Sequence, residues 1–231
     1  MTARNIFITG GTGYIGRMLI PRLLERGHLV RALVRRSSEA NLARGCEAVI
    51  GDALDASSFA EHVQPSDTFV QLVGVPHPSP AKAAEFRSID LASVRASVSA
   101  AAGAGVKHFV YVSVAQPSPV MKAYQAARAE GEQMIRDSGL DATILRPWYV
   151  LGPGHRWPYA LIPMYWLFER LPGTRETAQR LGLVTLEEMV AALVRSVEFP
   201  PSQIQVLEVP AIRSAASASK PELAAARTRE R

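Results

Sequence analysis

A disulfide framework is excluded at once, because Cys46 is the only cysteine among 231 residues, and a cysteine-based metal site is excluded with it. A lone thiol also fits a reducing compartment. The five histidines, His28, His62, His77, His108 and His155, show no paired ligand spacing and no accompanying acid cluster, so no metal site is expected. The G-x-S-x-G elbow of serine hydrolases is missing. Charge of one sign is never concentrated. Lys+Arg outnumber Asp+Glu by 26 to 21, and residues 214–231 supply +2 of that excess through four bases against two acids. Nucleic-acid binding needs a denser basic footprint and is not expected. The longest weakly charged aromatic stretch, residues 157–168, falls well short of the ~20 residues of a membrane span. No signal-peptide pattern precedes the first strand-like run. The chain reads as soluble and cytoplasmic.

What is present is a hydrophobic content of 48%, ample for a sizeable core, laid out as short apolar runs between longer helical stretches. Residues 5–9, 29–34, 48–50, 68–73, 108–112 and 142–145 are β-branched or aromatic-rich. Several are apolar on both faces, as in a parallel sheet covered by helices. Residues 14–26, 57–63, 82–102 and 120–138 read as helices, with Gly27, Gly105 and Gly139 where three of them should stop. The alternation predicts an α/β, Rossmann-like doubly wound parallel sheet with helices on both faces. Beyond Pro147 the pattern weakens. Thr185 and Glu188 spell a capping box before a helix at 189–197, and 204–209 reads as a last strand. Residues 1–147 are therefore expected to form the core. Residues 148–213 would form a small substrate lobe plus the core's final helix and strand, and 214–231 a mobile tail.

The most specific feature lies between the first strand and the first helix: Thr9-Gly10-Gly11-Thr12-Gly13-Tyr14-Ile15-Gly16. It holds G-x-G-x-x-G at Gly11, Gly13 and Gly16, and G-x-x-G-x-x-G at Gly10, Gly13 and Gly16. Glycines at these spacings permit a tight turn and a close backbone approach to a pyrophosphate, which then meets the free N–H groups of a helix N-terminus. An acid about 20 residues onward would bind the 2′-hydroxyl of NAD. Arg35 and Arg36 stand there instead, which suits the 2′-phosphate of NADP(H). They could also be surface arginines following a strand. Asp52 and Ala53, after the third strand, could reach the adenine. Asp52 and Asp55 could equally do no more than cap turns. Val73, Gly74 and Val75 end the fourth strand, where a missing side chain would admit the adenosine ribose.

TGGTGYIG, Arg35, GDALD and the later ILRPWYVLGPG together resemble the extended and atypical short-chain dehydrogenases/reductases. The likeness is closest to the NAD(P)H-binding branch that holds NmrA-like proteins and the 39-kDa-type subunit of respiratory complex I, and it runs from about residue 4 to about 210. It implies Tyr124 as the catalytic tyrosine and Ser113 as the catalytic serine. It sets Pro147 beside the nicotinamide and puts Arg128 where the family carries lysine. On a helix, positions i and i+4 share a face, so Tyr124 and Arg128 could both meet the cofactor. Arginine supplies permanent charge but cannot pass a proton onward. Two other readings stay open. Arg128, Glu132 and Arg136 have the spacing of a solvated, charge-alternating face, and Tyr124 could be an ordinary packed aromatic.

Trp148, Trp157, Tyr159, Tyr165, Trp166 and Phe168 could wall a site for a small hydrophobic substrate. They could equally complete a core or form a partner or peripheral membrane contact. The expected function is an NADP(H)-binding oxidoreductase, preferring NADP(H) over NAD(H), that reduces a hydrophobic carbonyl or quinone. The alternative is a catalytically silent NADPH-binding subunit or redox sensor.

Overall fold

The structure, a computed structural model, describes residues 2–118, 120–153 and 180–215. Among these the strands are β1 (Asn5–Thr9), β2 (Leu29–Val34), β3 (Glu47–Ile50), β4 (Thr68–Gln71), β5 (His108–Val112), β6 (Asp141–Arg146), β7 (Tyr149–Leu151), β8 (Leu183–Thr185) and β9 (Ile204–Glu208). The helices are α1 (Gly16–Glu25), α2 (Ala83–Glu85), α3 (Ala92–Gly103), α4 (Lys122–Asp137) and α5 (Leu186–Glu198). One parallel sheet runs in the order β3-β2-β1-β4-β5-β6-β9, and β7 pairs with β8 in a separate two-stranded ribbon. The doubly wound α/β architecture predicted from the alternation is the one observed.

Side chains alternate across the sheet, and each face is sealed by helices. Ile6, Ile8, Val30, Val70 and Val110 meet Leu19, Ile20 and Leu23 of α1 and Met189, Leu193 and Val197 of α5. The opposite face is aromatic. Parallel register aligns Phe7 with Phe69 and Phe69 with Phe109, giving ring centroids 5.3 Å apart at both steps. Val94, Val98 and Ala101 of α3 and Ile135 of α4 cover this row. Each fully buried phenylalanine contributes about 1.5–3 kcal/mol of burial. The capping box is formed as expected. The Glu188 N–H donates to Thr185 Oγ1 at 3.1 Å and the Thr185 N–H to Glu188 Oε2 at 2.7 Å.

Three local expectations need correction. Residues 57–63 are not an α-helix but two 3-10 turns, Ala56–Ser58 and Ala60–His62. There Ser58 Oγ donates to Asp55 O at 2.7 Å and Asp55 Oδ1 accepts from Ser57, so local side-chain bonds compete with a helical ladder. The helix expected over 82–102 is interrupted by a π-helical turn, Phe86–Leu91, a feature common at functional sites. The ribbon β7–β8 was not anticipated, because three-residue strands carry too little periodicity to read.

The strand order reverses direction between β1 and β4. Open α/β sheets bind ligands in the crevice beyond the carboxyl ends of their strands at such a switch point. Among the described residues no helix is long and apolar enough to cross a membrane.

His108 gives the fold a pH dependence. It is 1% exposed on β5, with Nε2 3.0 Å from Thr143 Oγ1 on β6, and burial lowers its pKa to about 4, helped by the charge of Arg4. The unfolded chain takes up this proton near pH 6.5 and the folded chain only near 4. Stability is therefore lost as pH falls through that window, by up to about 3 kcal/mol. Urea midpoints measured from pH 7 to pH 4 should drop in the wild type and drop distinctly less in His108→Gln.

Candidate functional site

At the carboxyl end of β1 the backbone turns through Gly10, whose φ is +77°. A Cβ there would stand 2.8 Å from the carbonyl carbon of Leu72 and 2.9 Å from the nitrogen of Val73; one at Gly16 would stand 2.5 Å from Gly10 O. Neither position has room for a side chain. The Gly13 N–H donates to Gly10 O at 3.0 Å and closes the turn. Thr12 is half-buried, its carbonyl accepting from Arg17 Nη2 at 3.3 Å, and Gly13 is exposed. Tyr14 and Ile15 are half-buried and pack on the core. Helix α1 follows with no side-chain cap and no acid in its first turn. Its leading N–H groups and positive pole are thus kept clear of protein anions, as an anion-binding helix start requires.

Beyond β2, Arg35 caps the 3-10 turn Arg36–Asn41 by backbone alone. Arg35 and Arg36 are both exposed, and among the described residues neither guanidinium meets a carboxylate. Beyond β3, Asp52 is exposed, its Oδ1 accepting the Leu54 N–H at 2.9 Å across half-buried Ala53. Asp55 caps the next turn.

The end of β4 is held from below. Val73 O accepts from Gln71 Nε2 at 3.2 Å, and the Val75 N–H donates to Asp90 Oδ2 at 3.1 Å. Asp90 sits in the π-helical turn at 0% exposure and forms an ion pair with Arg128. A Cβ on Gly74 would collide with the Arg128 guanidinium. Arg128 also donates to Val112 O at 2.9 Å and Tyr111 Oη at 3.4 Å, and its Cζ lies 5.2 Å from the Tyr124 ring centroid. Burial pushes the Asp90 carboxyl up, against the pull of Arg128 and the Val75 N–H. Burial also opposes the charge on Arg128, but Tyr124, Tyr111 and Asp90 outweigh it and raise its pKa.

This overturns the reading of a solvated charged face. Arg128 and Glu132 are 5% and 3% exposed, and only Arg136 faces water. Burial is affordable because both charges are paired. Glu132 accepts from Ser113 Oγ at 2.6 Å, Gln116 Nε2 at 2.8 Å and Arg146 Nε at 2.9 Å. The Ser113 hydroxyl is thus directed at Glu132, with buried Val114 next in sequence. Pro147 is buried, its carbonyl accepting the Ala115 N–H at 2.9 Å. Tyr124 is half-buried, its ring 4.9 Å from that of Phe86, and it borders an apolar hollow with Phe86, Met121 and Pro80. Trp148 stacks edge-on to Tyr149 at 5.6 Å. Trp157, Tyr159, Tyr165, Trp166 and Phe168, and the tail expected at 214–231 apart from Ser214 and Ala215, lie outside the described residues.

Asp90 was not singled out from the sequence, and Glu132 was named only as part of a solvated face. A signal for Asp90 existed, since it interrupts an otherwise apolar helical phase at Ile89-Asp90-Leu91.

A family model described as NAD(P)H-binding matches residues 10–158. This chain belongs to the NAD(P)H-binding family. Among relatives of this family member, a ceramide reductase from Caulobacter vibrioides is 29% identical over 192 residues, covering 82% of this chain and 59% of that protein. A 4-hydroxy-2-methyl-3-oxo-4-farnesyl-3,4-dihydroquinoline-1-oxide ketoreductase from Stigmatella aurantiaca is 27% identical over 168 residues, covering 63% and 50%. The chain therefore spans between half and three fifths of these relatives' lengths. An NAD-bound crystal structure of a short-chain dehydrogenase/reductase superfamily protein from Agrobacterium tumefaciens superposes with a TM-score of 0.64 at 18% identity, covering 88% of this chain and 77% of that one. The fold is thus that of the superfamily.

The turn is compatible with a dinucleotide's pyrophosphate, because side chains are excluded at Gly10 and Gly16 and the start of α1 is uncapped. Ser113→Ala should lower the unfolding free energy by about 1–3 kcal/mol, by leaving the buried Glu132 one donor short. Chemical denaturation measures it.

Proposed function

We propose that this chain is an NADP(H)-dependent reductase acting on a hydrophobic carbonyl or quinone. The observation that carries this reading is the pairing of a glycine turn at the β1/β4 switch, with no room for a side chain at Gly10 or Gly16, with an exposed Arg35, free of any acid among the described residues, at the end of β2. Gly10, Thr12, Gly13, Tyr14, Ile15 and Gly16 would hold the pyrophosphate. Arg35 and Arg36 would hold the 2′-phosphate, with Asp52 and Ala53 near the adenine and Val73, Gly74 and Val75 along the adenosine ribose. Pro147 would border the nicotinamide. When bound, the reduced nicotinamide supplies the hydride.

The chain's own contribution is placement and the proton. Tyr124 would donate a proton to the developing alkoxide, general-acid help usually worth about 10²–10⁴-fold, with the fixed charge of Arg128 stacked on its ring. Tyr124, Phe86, Met121 and Lys122 line a small hollow of about 120 Å³, whose apolar walls would meet one apolar part of an acceptor rather than its whole body. The names of the two reductases support this, one referring to ceramide and the other to a farnesylated quinoline oxide. A second reading, an NADPH-holding subunit without turnover, draws on the locking of Arg128 into Asp90, which leaves Tyr124 without a proton-relaying lysine.

NADPH and NADH titrations by fluorescence should show saturable binding with NADPH the tighter. Arg35→Asp should weaken NADPH by roughly 10- to 100-fold while nearly sparing NADH; equal losses would remove the 2′-phosphate role. In turnover assays with quinones and long-chain ketones, Tyr124→Phe should lose on the order of 10²-fold or more in kcat with NADPH affinity kept. Binding without turnover on any acceptor would favour the second reading.

A further inference from the structure

Resting on the nucleotide-binding reading above, we propose that Asp90 and Arg128 act together as positioning residues that set the seat of the glycine turn. On this view Arg128 does not stand in for a proton-relaying lysine.

The route is continuous. Arg128 spans the ends of two strands, donating to Val112 O at the end of β5 and pairing with Asp90, which takes the Val75 N–H past β4. Its guanidinium fills the space that Gly74 leaves open. Asp90 is joined to the same segment a second time, because Ser93 Oγ donates to Asp90 O at 2.9 Å and accepts from Gln71 Nε2 at 2.9 Å, while Gln71 also holds Val73 O. Residues 71–75 are thereby fixed from the helix side. Their other side is the surface on which Gly10 rests, so close that a Cβ on Gly10 would stand 2.8 Å from Leu72 C and 2.9 Å from Val73 N. A shift at Val75 would therefore move the wall against which the nucleotide turn is set.

Lysine cannot replace this arrangement. A single ammonium cannot span Asp90, Val112 O and Tyr111 Oη as the two Nη atoms of the forked guanidinium do. The test separates the two roles for Arg128. If it positions, Arg128→Lys and Asp90→Asn should each weaken NADPH about tenfold and speed hydrogen exchange at the Val75 amide, while kcat at saturating NADPH falls less than affinity. If Arg128→Lys keeps or raises kcat with Val75 exchange and NADPH affinity unchanged, the inference is overturned. A cycle at Gly74 guards against variants that fail to fold. Gly74→Ala should lower Tm and NADPH affinity in the wild type, and cost distinctly less alongside Arg128→Ser, which clears the space. Equal costs in both backgrounds would also overturn it. A wild-type protein that binds no nicotinamide nucleotide would instead defeat the functional reading itself, an outcome distinct from variants that leave a real affinity unmoved.

Discussion

The backbone of Gly10 lies directly on the backbone of Leu72 and Val73, and everything at the open end of the sheet depends on that contact. A residue with any side chain would push β1 away from β4 at the point where strand order reverses. Because the approach is backbone to backbone, it offers no rotamer through which a neighbour could yield. It also leaves the start of α1 bare, with neither cap nor acid competing for its N–H groups. The same geometry that lets the two strands meet thus exposes the one part of the chain suited to an anion.

Beneath this contact the protein buries charge, and does so in pairs. Arg128 with Asp90 ties β4 to β5, and Glu132 with Arg146 ties α4 to β6, the latter reaching Glu208 on β9 at 3.0 Å. Such pairs add little net stability over well-packed apolar residues, yet removing one partner costs about 3–5 kcal/mol. Their value here is directional. A guanidinium with several fixed acceptors specifies where two strand ends lie, which dispersion forces between aliphatic side chains would leave softer.

How much of this was legible in the sequence follows from the range of each signal. Strand and helix alternation is local and repeated, so the sheet and its order class emerged from periodicity, with β1, β2 and β5 read at their observed limits. The glycine turn was legible because its chemistry is written in contiguous residues. The row Arg128, Glu132, Arg136 was misleading for the opposite reason. Spacing reports which residues share a helix face, not what covers it, and the partners that make burial tolerable, Asp90 and Arg146, lie 38 and 14 positions away in sequence. Residues 57–63 failed on a smaller scale, where Asp55 and Ser58 outbid the helix for backbone bonds.

The two ends of the crevice therefore rest on different physics. The end proposed for the adenosine offers uncapped backbone groups and exposed arginines, which water keeps charged. The other end uses buried ions paired with one another, Arg128 with Asp90 through Nη2, while the Arg128 Nε is buried without a partner among the described residues. Arg128 is raised further into its charged form by its surroundings, so it can orient Tyr124 but can neither give nor accept a proton at any working pH. Ser113 is directed at Glu132 and Tyr111 is fully buried, its hydroxyl pushed up to about 12. Tyr124, by contrast, is a half-buried residue. If Tyr124 gives up a proton as proposed, Arg128 offers no relay through the helix to replace it, because a guanidinium keeps its proton.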